Sequence, residues 1–352
     1  MTLEDLGYSP AIEEARQAQG LAGMAVGRVA AEHKERYLVK TAEGEYEAEV
    51  IGQLRYSAQS RADFPAVGDW VALLPYDEEK ALIHAVLPRK TILERQAVGK
   101  QGEKQLIATN LDGAFIVQAV DRDFNLNRLE RYLALCHAAK IKPFIVLSKT
   151  DLLGEAEVTT LTADIQARVK TVAVLPLSNT TGAGVDAVRD LIEPGQTYCL
   201  LGSSGVGKSS LLNGLTGEEQ MKTGAISDTI QRGRHVTSHR ELTLLPGGGI
   251  LIDNPGLREV GLTDTAGGLE TTFDEIVELA DQCKFKDCTH TNETGCAVLE
   301  ALESGELDES AYDNFLRLQR EQEHFARSVA EKRQREREFS KMVRQVKKVK
   351  KR

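Results

Sequence analysis

The string GSSGVGKS, from Gly202 to Ser209, decides the fold class of this chain. It follows the pattern G-x-x-x-x-G-K-S, in which glycines let backbone N–H groups converge on phosphate oxygens with no side chain in the way. The apolar run TYCLL precedes the string and the helix-forming run SSLLNGL follows it, which is the strand–loop–helix context of a phosphate loop. We therefore expect Lys208 to bridge the β- and γ-phosphates of a nucleotide and Ser209 to ligate magnesium.

Two further strings occur in an unusual order around this loop. DNPG follows it, from Asp253 to Gly256, directly after the apolar run GILI. Asp253 is thus expected to hold magnesium through water, and Gly256 to donate its N–H to the γ-phosphate. SKTD lies upstream, from Ser148 to Asp151, although in small GTPases the base-reading string comes last. The order predicts a circularly permuted nucleotide-binding domain.

The SKTD string points to guanine as the base. Asp151 would accept hydrogen bonds from the guanine N1–H and exocyclic amine, which adenine cannot supply, and Lys149 would pack over the base. Ser178 and Asn179 follow the run VAVLPL and form a candidate second base-contacting loop, although S-N-T-T-G is also an ordinary turn. The complete predicted nucleotide-binding set is Ser148, Lys149, Thr150, Asp151, Ser178, Asn179, Gly202, Ser203, Ser204, Gly205, Val206, Gly207, Lys208, Ser209, Ser210 and Gly256.

The catalytic group is less obvious than the binding groups. Leu257 stands where many GTPases have the glutamine that orients the attacking water. In the polar loop QRGRHVTSHRE, His235 could orient water, Arg234 could act on transition-state charge, and Thr237 could complete the magnesium shell. The same loop could instead be an exposed basic segment that touches RNA. We expect slow intrinsic turnover, with His235 and Lys208 as the candidate catalytic residues.

Four potential metal ligands follow the spacing C-x4-C-x-H-x5-C: Cys283, Cys288, His290 and Cys296. Three thiolates and one imidazole complete a tetrahedral shell, which predicts one structural zinc ion, whereas a catalytic zinc would need an open position. The remaining cysteines, Cys136 and Cys199, lie in apolar patterns that indicate core packing. An odd number of cysteines, five in all, argues against a disulfide framework and for a reducing compartment.

The composition is that of an ordinary globular protein, with 352 residues of which 41% are hydrophobic and 28% charged. No apolar run approaches the roughly 20 residues that span a bilayer. The start, MTLEDLGYSP, has neither a basic leader nor an apolar stretch. We therefore expect no secretory signal, no membrane insertion and a cytoplasmic location.

The net charge of −9 is the sum of an acidic body and a basic C-terminal tail. From Arg317 to Arg352 there are 14 Lys/Arg and 5 Asp/Glu, so the remaining body is strongly acidic. The last twelve residues, KMVRQVKKVKKR, contain no acid, which favours contact with a phosphate backbone. The interleaved string EKRQREREF is also typical of a solvated helix.

Segment patterns predict the architecture. After a short helix, AIEEARQAQ, five alternating segments are typical of an OB-like barrel: MAVGRVA, RYLVKT, EYEAEVIG, VGDWVALLP and ALIHAVLP. An SH3-like barrel would give the same periodicity. From about Lys104 strands alternate with helices such as LNRLERYLALCHAA, which has Leu126, Leu129, Leu133 and Cys136 on one face. This rhythm predicts an α/β domain with a mainly parallel sheet.

Four regions follow from these patterns. We expect an OB-fold domain with a short leading helix over residues 1–100 and a circularly permuted phosphate-loop domain over 101–262. A helical zinc-binding domain is expected over 263–316, followed by a basic helical tail over 317–352.

Several strings resemble the circularly permuted, small-ribosomal-subunit-dependent GTPases of bacteria. They include GSSGVGKSSLLN, RGRHVTSHREL, ILIDNPGLREVGL, CKFKDCTH and, near the start, PAVGDWVAL and LPRKTILERQAVGK. The resemblance runs from about Gly27 to about Leu299. It implies an OB-fold, a permuted GTPase domain and a zinc-binding domain, with a late maturation or checkpoint role on the small ribosomal subunit and hydrolysis stimulated by that subunit. An OB barrel and a basic tail would both bind folded RNA, and we expect contact with rRNA through the barrel, the zinc-binding region and the tail. It also implies that His235, which matches the histidine of the family string G-R-H-T-T, substitutes for the catalytic glutamine.

Three positions depart from that family's pattern. Ser148 replaces the usual Asn and can make fewer bridging hydrogen bonds, which predicts weaker guanine binding. Asn254 replaces a common Thr, with little expected effect. Val236 replaces the first Thr of the switch string and leaves Thr237 as the candidate magnesium-shell hydroxyl.

The sequence as a whole predicts a monomeric GTP hydrolase, with GTP and GDP as ligands, magnesium bound with the nucleotide, and the small ribosomal subunit as partner. An RNA-binding scaffold, whose nucleotide site only stabilises the fold, is the alternative that Ser148 and Leu257 favour. An ATPase of similar topology is a second alternative.

Overall fold

The computed structural model describes residues 1–33, 35–97, 103–121, 124–217, 240–254 and 267–349, and of residues 332, 333 and 335–349 it describes the backbone alone. Within these ranges, no helix is both long and apolar enough to cross a membrane.

A five-stranded barrel forms the N-terminal part. Its strands are β1 (Ala25–His33), β2 (Arg36–Lys40), β3 (Glu45–Val50), β4 (Trp70–Pro75) and β5 (Lys80–Val86). β1, β2 and β3 pair antiparallel in sequence, β3 pairs parallel to β5, β5 pairs with β4, and β4 returns to β1 and closes the barrel. The prediction of an OB-like barrel is confirmed.

Short helices flank the barrel. Helix α1 (Pro10–Ala18) precedes it, while α2 (Gly52–Ser57) and a 3-10 turn (Arg61–Asp63) fill the connection between β3 and β4. Alternating residues of the strands form the interior, including the fully buried Tyr37 and Leu73. The alternating segments of the sequence thus pack one face inward, as period-2 patterning requires.

A hairpin leads out of the barrel. Strands β6 (Ile92–Gln96) and β7 (Lys104–Thr109) pair antiparallel in a sheet of their own. The two strands lie on either side of the expected domain boundary between residues 100 and 101.

The second region is built on a mainly parallel sheet, as predicted. Its strands are β8 (Gly113–Ala119), β9 (Lys142–Ser148), β10 (Val174–Pro176), β11 (Thr197–Leu201), β12 (Glu241–Leu244) and β13 (Ile250–Asp253). The spatial order is β10-β9-β8-β11-β13-β12, with only β12 antiparallel to its neighbour. β11, which precedes the phosphate loop, therefore lies in the centre although it comes fourth along the chain. The carboxyl ends of β9, β11 and β13 meet at one edge, where ligands bind in such sheets.

Four helices cover this sheet: α3 (Leu126–Ala138), α4 (Glu155–Arg168), α5 (Val185–Arg189) and α6 (Lys208–Thr216). Helix α3 buries the apolar face expected from the sequence, with Leu129, Leu133 and Cys136 in the core. Its start is fixed by the side chain of Asn125, which accepts a hydrogen bond from the N–H of Arg128 at 2.9 Å.

The C-terminal part is helical, as predicted. It consists of α7 (Gly268–Thr272), α8 (Asp274–Ala280), α9 (Ala297–Ser304) and the long α10 (Glu309–Val349). The expected boundary between zinc domain and tail, at residues 316 and 317, falls inside the continuous helix α10. The first turns of α10 bury Phe315 and Leu318 in the same core as α3.

One backbone bridge joins the barrel to the main sheet. Ala31 in β1 pairs antiparallel with Glu241 in β12. Because of this bridge, the barrel strands and the six strands of the second region form one continuous eleven-stranded sheet.

Candidate nucleotide site and metal centre

The phosphate loop connects β11 to α6 at the carboxyl edge of the sheet. Gly202, Gly205 and Gly207 all have positive φ angles, of 140°, 83° and 96°. A Cβ on Gly202 would lie 2.3 Å from the carbonyl oxygen of Val117, so no other residue fits there. Helix α6 begins at Lys208, and its N-terminus supplies the partial positive charge that favours an anion at the loop.

Lys208 is folded back onto its own loop. Its Nζ donates hydrogen bonds to the carbonyl oxygens of Gly202 at 2.9 Å and Ser203 at 2.6 Å. Burial lowers the pKa of Lys208 to about 8, an effect that the charge of Asp253 opposes. Among the described residues, carbonyl groups alone accept hydrogen bonds from the ammonium group, which leaves it able to take a stronger, anionic partner.

Asp253 ends β13 beside this loop. Burial raises the pKa of its carboxyl group to about 6, while the charge of Lys208 and the N–H of Asn254 oppose that shift. The side chain is nearly inaccessible, and its Oδ1 has no hydrogen-bond partner among the described residues. A buried carboxylate oxygen without a partner fits a hydrated cation such as magnesium. Ser209 and Ser210, in the first turn of α6, are half-buried.

The SKTD string is tied to the phosphate loop. The hydroxyl of Ser148 donates a hydrogen bond to the carbonyl oxygen of Val206 at 2.6 Å. Asp151 is exposed, and its Oδ1 accepts a hydrogen bond from the Ser178 hydroxyl at 2.6 Å. Thr150 begins a 3-10 turn (Thr150–Leu152) that presents the carboxylate outward. The fold thereby brings both candidate base-contacting loops together.

The second base loop also touches the phosphate loop. Asn179 Nδ2 donates to the carbonyl oxygen of Gly207 at 3.1 Å, and a Cβ on Gly207 would lie 2.7 Å from that same nitrogen. Lys149 adopts a left-handed backbone conformation, with φ of 60°, and its Nζ forms an ion pair with Asp121 at 2.7 Å. Ser204 is half-buried at the mouth of the loop. Ser148, Asp151, Ser178 and Asn179 are thus linked to one another or to the phosphate loop by hydrogen bonds.

Two residues missed by sequence reasoning join this site. Asp121, which holds Lys149, follows β8. Arg128, in the first turn of α3, donates a hydrogen bond from Nη1 to the Ser203 hydroxyl at 3.0 Å. The only sequence signal for Arg128 was its place in the string DFNLNRLERYL, which carries no phosphate-binding pattern.

The Cys/His cluster forms a compact cage, in which all four ligand atoms lie within 4.8 Å of one another. Cys283 Sγ lies 3.8 Å from Cys296 Sγ, and His290 Nδ1 lies 3.6 and 3.5 Å from these two sulfurs. Tetrahedral zinc, with Zn–S near 2.3 Å and Zn–N near 2.0 Å, would separate two sulfurs by about 3.8 Å and sulfur from nitrogen by about 3.5 Å. The cage therefore has the dimensions and donor set of a site that could bind one zinc ion.

Neighbouring groups support this cage. Burial raises the pKa of the Cys283 thiol, but hydrogen bonds from the N–H groups of Val298 and Ala297 outweigh that effect and leave the pKa below its usual value. These donors belong to the start of α9, where a helix favours a thiolate. The hydroxyl of Tyr312 in α10 donates to the carbonyl oxygen of His290 at 2.6 Å, and so α10 holds the histidine ligand in place.

Known proteins resemble this chain over nearly its whole length. A family model described as RsgA GTPase matches residues 86–263. A relative from Opitutus terrae, named small ribosomal subunit biogenesis GTPase RsgA, is 43% identical over 341 residues, which are 94% of this chain and 92% of its own length. The chain belongs to the RsgA GTPase family.

Further comparisons give a second relative, a solved structure and one other family model. A Bacteroides thetaiotaomicron protein, named small ribosomal subunit biogenesis GTPase RsgA 1, is 40% identical over 97% of this chain and 96% of its own length. The crystal structure of YjeQ from Thermotoga maritima has a TM-score of 0.62 and 25% identity, and covers 84% of this chain and 96% of that one. A model of ABC transporters also matches residues 185–348, a stretch that includes the phosphate loop common to both classes.

Family membership distinguishes the predicted GTPase from the alternative RNA-binding scaffold. RsgA proteins are GTPases, and this chain is accordingly a GTP-hydrolysing enzyme with a circularly permuted nucleotide-binding domain. The scaffold alternative is not favoured. The predicted site residues His235, Thr237 and Gly256 lie outside the described residues. The same is true of Arg234, Val236 and Leu257.

Proposed function

We propose that this chain hydrolyses GTP during late maturation of the small ribosomal subunit and that the subunit stimulates the reaction. The single observation that carries this proposal is the near full-length similarity to relatives named small ribosomal subunit biogenesis GTPases. The protein would act as a monomer in the cytoplasm, where such subunits mature.

In this proposal each loop has a separate task. Backbone N–H groups from Gly202 to Ser210 bind the phosphates, and Lys208 leaves its loop carbonyls to neutralise phosphate charge. Asp151 reads the guanine edge, oriented by Ser178, while Lys149 lies over the base. Asn179 and Ser148 hold the base loops against the phosphate loop.

The reaction is an attack of water on the γ-phosphorus of GTP, which breaks the bond to the β-phosphate and yields GDP and inorganic phosphate. Magnesium, held by Ser209, Asp253 and Thr237, would stabilise charge on the phosphate oxygens. His235 is the proposed group that orients the water. Gly256 is proposed to donate its N–H to the γ-phosphate.

A structural zinc ion in the cage is part of the proposal. Cys283, Cys288, His290 and Cys296 leave no ligand position open when the metal is four-coordinate. The ion would fix the turn between α8 and α9, and with it the packing of α10 through Tyr312.

Contact with rRNA is proposed for three regions: the barrel, the zinc turn and the tail. Phe285, between the first two cage cysteines, exposes 47% of its surface and is flanked by Lys284 and Lys286. The Nζ of Lys284 lies 5.4 Å from the centre of its ring. Exposed aromatic rings beside lysines suit stacking on unpaired bases. The tail from Arg317 to Arg352 would contact the phosphate backbone.

The test is steady-state GTP turnover with and without purified small ribosomal subunits. We expect stimulation by an order of magnitude or more, and loss of that stimulation in His235→Ala. His239→Ala is the matched control, because it removes a histidine from the same loop. Absence of stimulation in the unaltered protein would contradict the ribosomal role. Full stimulation of His235→Ala would contradict only the role of His235.

A further inference from the structure

Helix α3 lies between the phosphate loop and helix α10, and touches both through polar side chains. Arg128, in its first turn, donates to the Ser203 hydroxyl at 3.0 Å. Glu130, two residues later, accepts a hydrogen bond from Asn314 of α10. Residues two apart on a helix point to nearly opposite sides, so one turn of α3 contacts the nucleotide loop on one side and the C-terminal helix on the other.

The contact with α10 is buried and specific. Glu130 and Asn314 are almost inaccessible, and Asn314 Nδ2 also donates to the carbonyl oxygen of Asn127 at 3.3 Å. Arg168 of α4 completes the network, with Nε 2.6 Å from Glu130 Oε1. Burial raises the pKa of Glu130, and the hydrogen bond and charge of Arg168 oppose this. Arg168 Nη2 is buried without a partner among the described residues, but the bonds that Glu130 makes to Arg168 and Asn314 tie α3 to α4 and α10.

Arg128 contacts Ser203, a residue of the phosphate loop whose carbonyl oxygen would lose a hydrogen bond from Lys208 during the reaction. The carbonyl oxygen of Ser203 accepts a hydrogen bond from Lys208 at 2.6 Å. When Lys208 turns to a phosphate, that carbonyl loses its donor. The hydrogen bond from Arg128 to the Ser203 hydroxyl remains and can preserve the conformation of the loop.

The start of α3 is linked to the main sheet by a hydrogen bond. Gln118, buried at the end of β8, donates from Nε2 to the carbonyl oxygen of Asn125 at 3.0 Å. A movement of α10 that pulls on Glu130 would displace the first turn of α3, which also carries Arg128, and about 1–2 Å is the usual size of such helix shifts. It would reach Ser203 directly through Arg128.

We propose that Arg128 is a positioning residue for the phosphate loop, and that the C-terminal helix α10 sets its position through Asn314 and Glu130. The inference rests on nucleotide binding at this loop and adds a route by which the zinc-bearing C-terminal part controls nucleotide affinity. Arg128 acts through Ser203 rather than on the phosphates.

The experiment measures the Kd of the full chain for fluorescent mant-GDP, together with KM and kcat for GTP. Arg128→Met, Ser203→Ala and Asn314→Leu should each raise the Kd and KM by roughly 2- to 10-fold, as expected for one lost hydrogen bond, and change kcat by less than about twofold. The double variants Arg128→Met/Ser203→Ala and Arg128→Met/Asn314→Leu should bind no more weakly than the weaker single variant, because the interactions form one chain. Arg128→Lys, which keeps a donor, should recover part of the affinity.

Glu323→Gln is the matched control, since Glu323 pairs only with Arg327 on α10 in the described contacts and lies away from α3. Thermal unfolding of every variant separates misfolding from weaker binding. If Asn314→Leu unfolds early, Asn314→Ser takes its place as the smaller polar substitution. Unchanged Kd in Arg128→Met, or fully multiplicative double variants, would overturn the inference while leaving the GTPase proposal intact. Failure of the unaltered chain to bind mant-GDP would overturn both.

Discussion

The Ser148 hydroxyl donates a hydrogen bond to the carbonyl oxygen of Val206 at 2.6 Å, and this bond joins the base-reading string to the phosphate loop across 58 residues of sequence. Ser148 is fully buried at the end of β9, so the bond is shielded from water. The serine thus makes one bridge between the loops. Weaker guanine binding than with the usual Asn stays a prediction, because an amide could make additional bonds at this position.

Replacing Ser148 by Ala should weaken GDP binding. The carbonyl oxygen of Val206 would lose its donor in a buried place, at a cost of about 1–3 kcal/mol, which corresponds to roughly 5- to 150-fold in Kd where all of it falls on binding. Equilibrium titration with mant-GDP measures this change. Ser57→Ala on α2 is the control, because its exposed hydroxyl bonds only within its own helix. A Kd for Ser148→Ala within twofold of the unaltered value would show that the bridge does not support the loop.

Asp151→Asn should change the base that the site accepts. The amide would no longer accept both guanine donors, and two lost bonds to a charged group amount to roughly a hundredfold or more in affinity. Xanthine nucleotides, which present an acceptor at that edge, should bind better than before. Competition titrations with GTP, XTP and ATP measure the shift, and Asp186→Asn on the exposed start of α5 is the control. Undiminished GTP affinity in Asp151→Asn is the outcome that contradicts guanine reading by this residue.

Cys296→Ser should abolish metal binding. The buried Cys296 links the cage to the start of α9, and a tetrahedral site with three ligands holds zinc far more weakly. We expect one zinc ion per unaltered chain by atomic emission, almost none in the variant, and a lower unfolding midpoint. Cys136→Ala is the control, because it removes a buried thiol that lies outside the cage. The Cys136→Ala protein should still bind one zinc ion per chain. Stoichiometric zinc in Cys296→Ser would contradict the assigned ligand set.

His137 should make the stability of the chain depend on pH. Its Nδ1 lies 3.0 Å from Thr272 Oγ1, where α3 meets α7, and burial lowers its pKa below the usual 6.5, while Asp274 opposes the shift. The unfolded state therefore binds more protons just below pH 6.5. The free energy of unfolding should fall as the pH drops through that window and level off below the folded-state pKa.

Urea unfolding between pH 5 and 7.5 measures this dependence. His137→Gln should flatten the curve in that range, whereas His324→Gln, an exposed histidine on α10, should leave its slope unchanged. An equal slope in His137→Gln and the unaltered chain would assign the pH dependence to other groups.

Phe285 should contribute stacking energy to binding of the small ribosomal subunit. Phe285→Leu keeps the apolar surface and removes the ring, so we expect roughly a 5- to 100-fold loss of affinity for each stacked base. Phe285→Tyr retains the ring and should bind as the unaltered chain does. Sedimentation binding to purified subunits at fixed salt measures both variants. Equal binding by Phe285→Leu and Phe285→Tyr would exclude stacking at this turn.

Local patterns were enough to predict most elements and much of the candidate site. The phosphate loop is encoded by glycines whose positive φ angles no other residue adopts easily, and the cage by a short spacing that keeps its ligands near one another. The order of SKTD, GSSGVGKS and DNPG along the chain predicted the permutation, since each string follows its own apolar strand. The five short alternating segments of the barrel are likewise recognisable in the sequence.

Tertiary structure decided the contacts between strings that lie far apart in sequence. The sequence by itself predicted which residues would bear phosphate-binding, base-reading and metal-binding chemistry. Only the fold placed Ser148 against Val206, Arg128 against Ser203 and Asn314 against Glu130, and only the fold paired β1 of the barrel with β12. The physical reason is that backbone conformation and side-chain periodicity are set by near neighbours, whereas these contacts depend on the packing of β9, β11, α3 and α10 around a shared core.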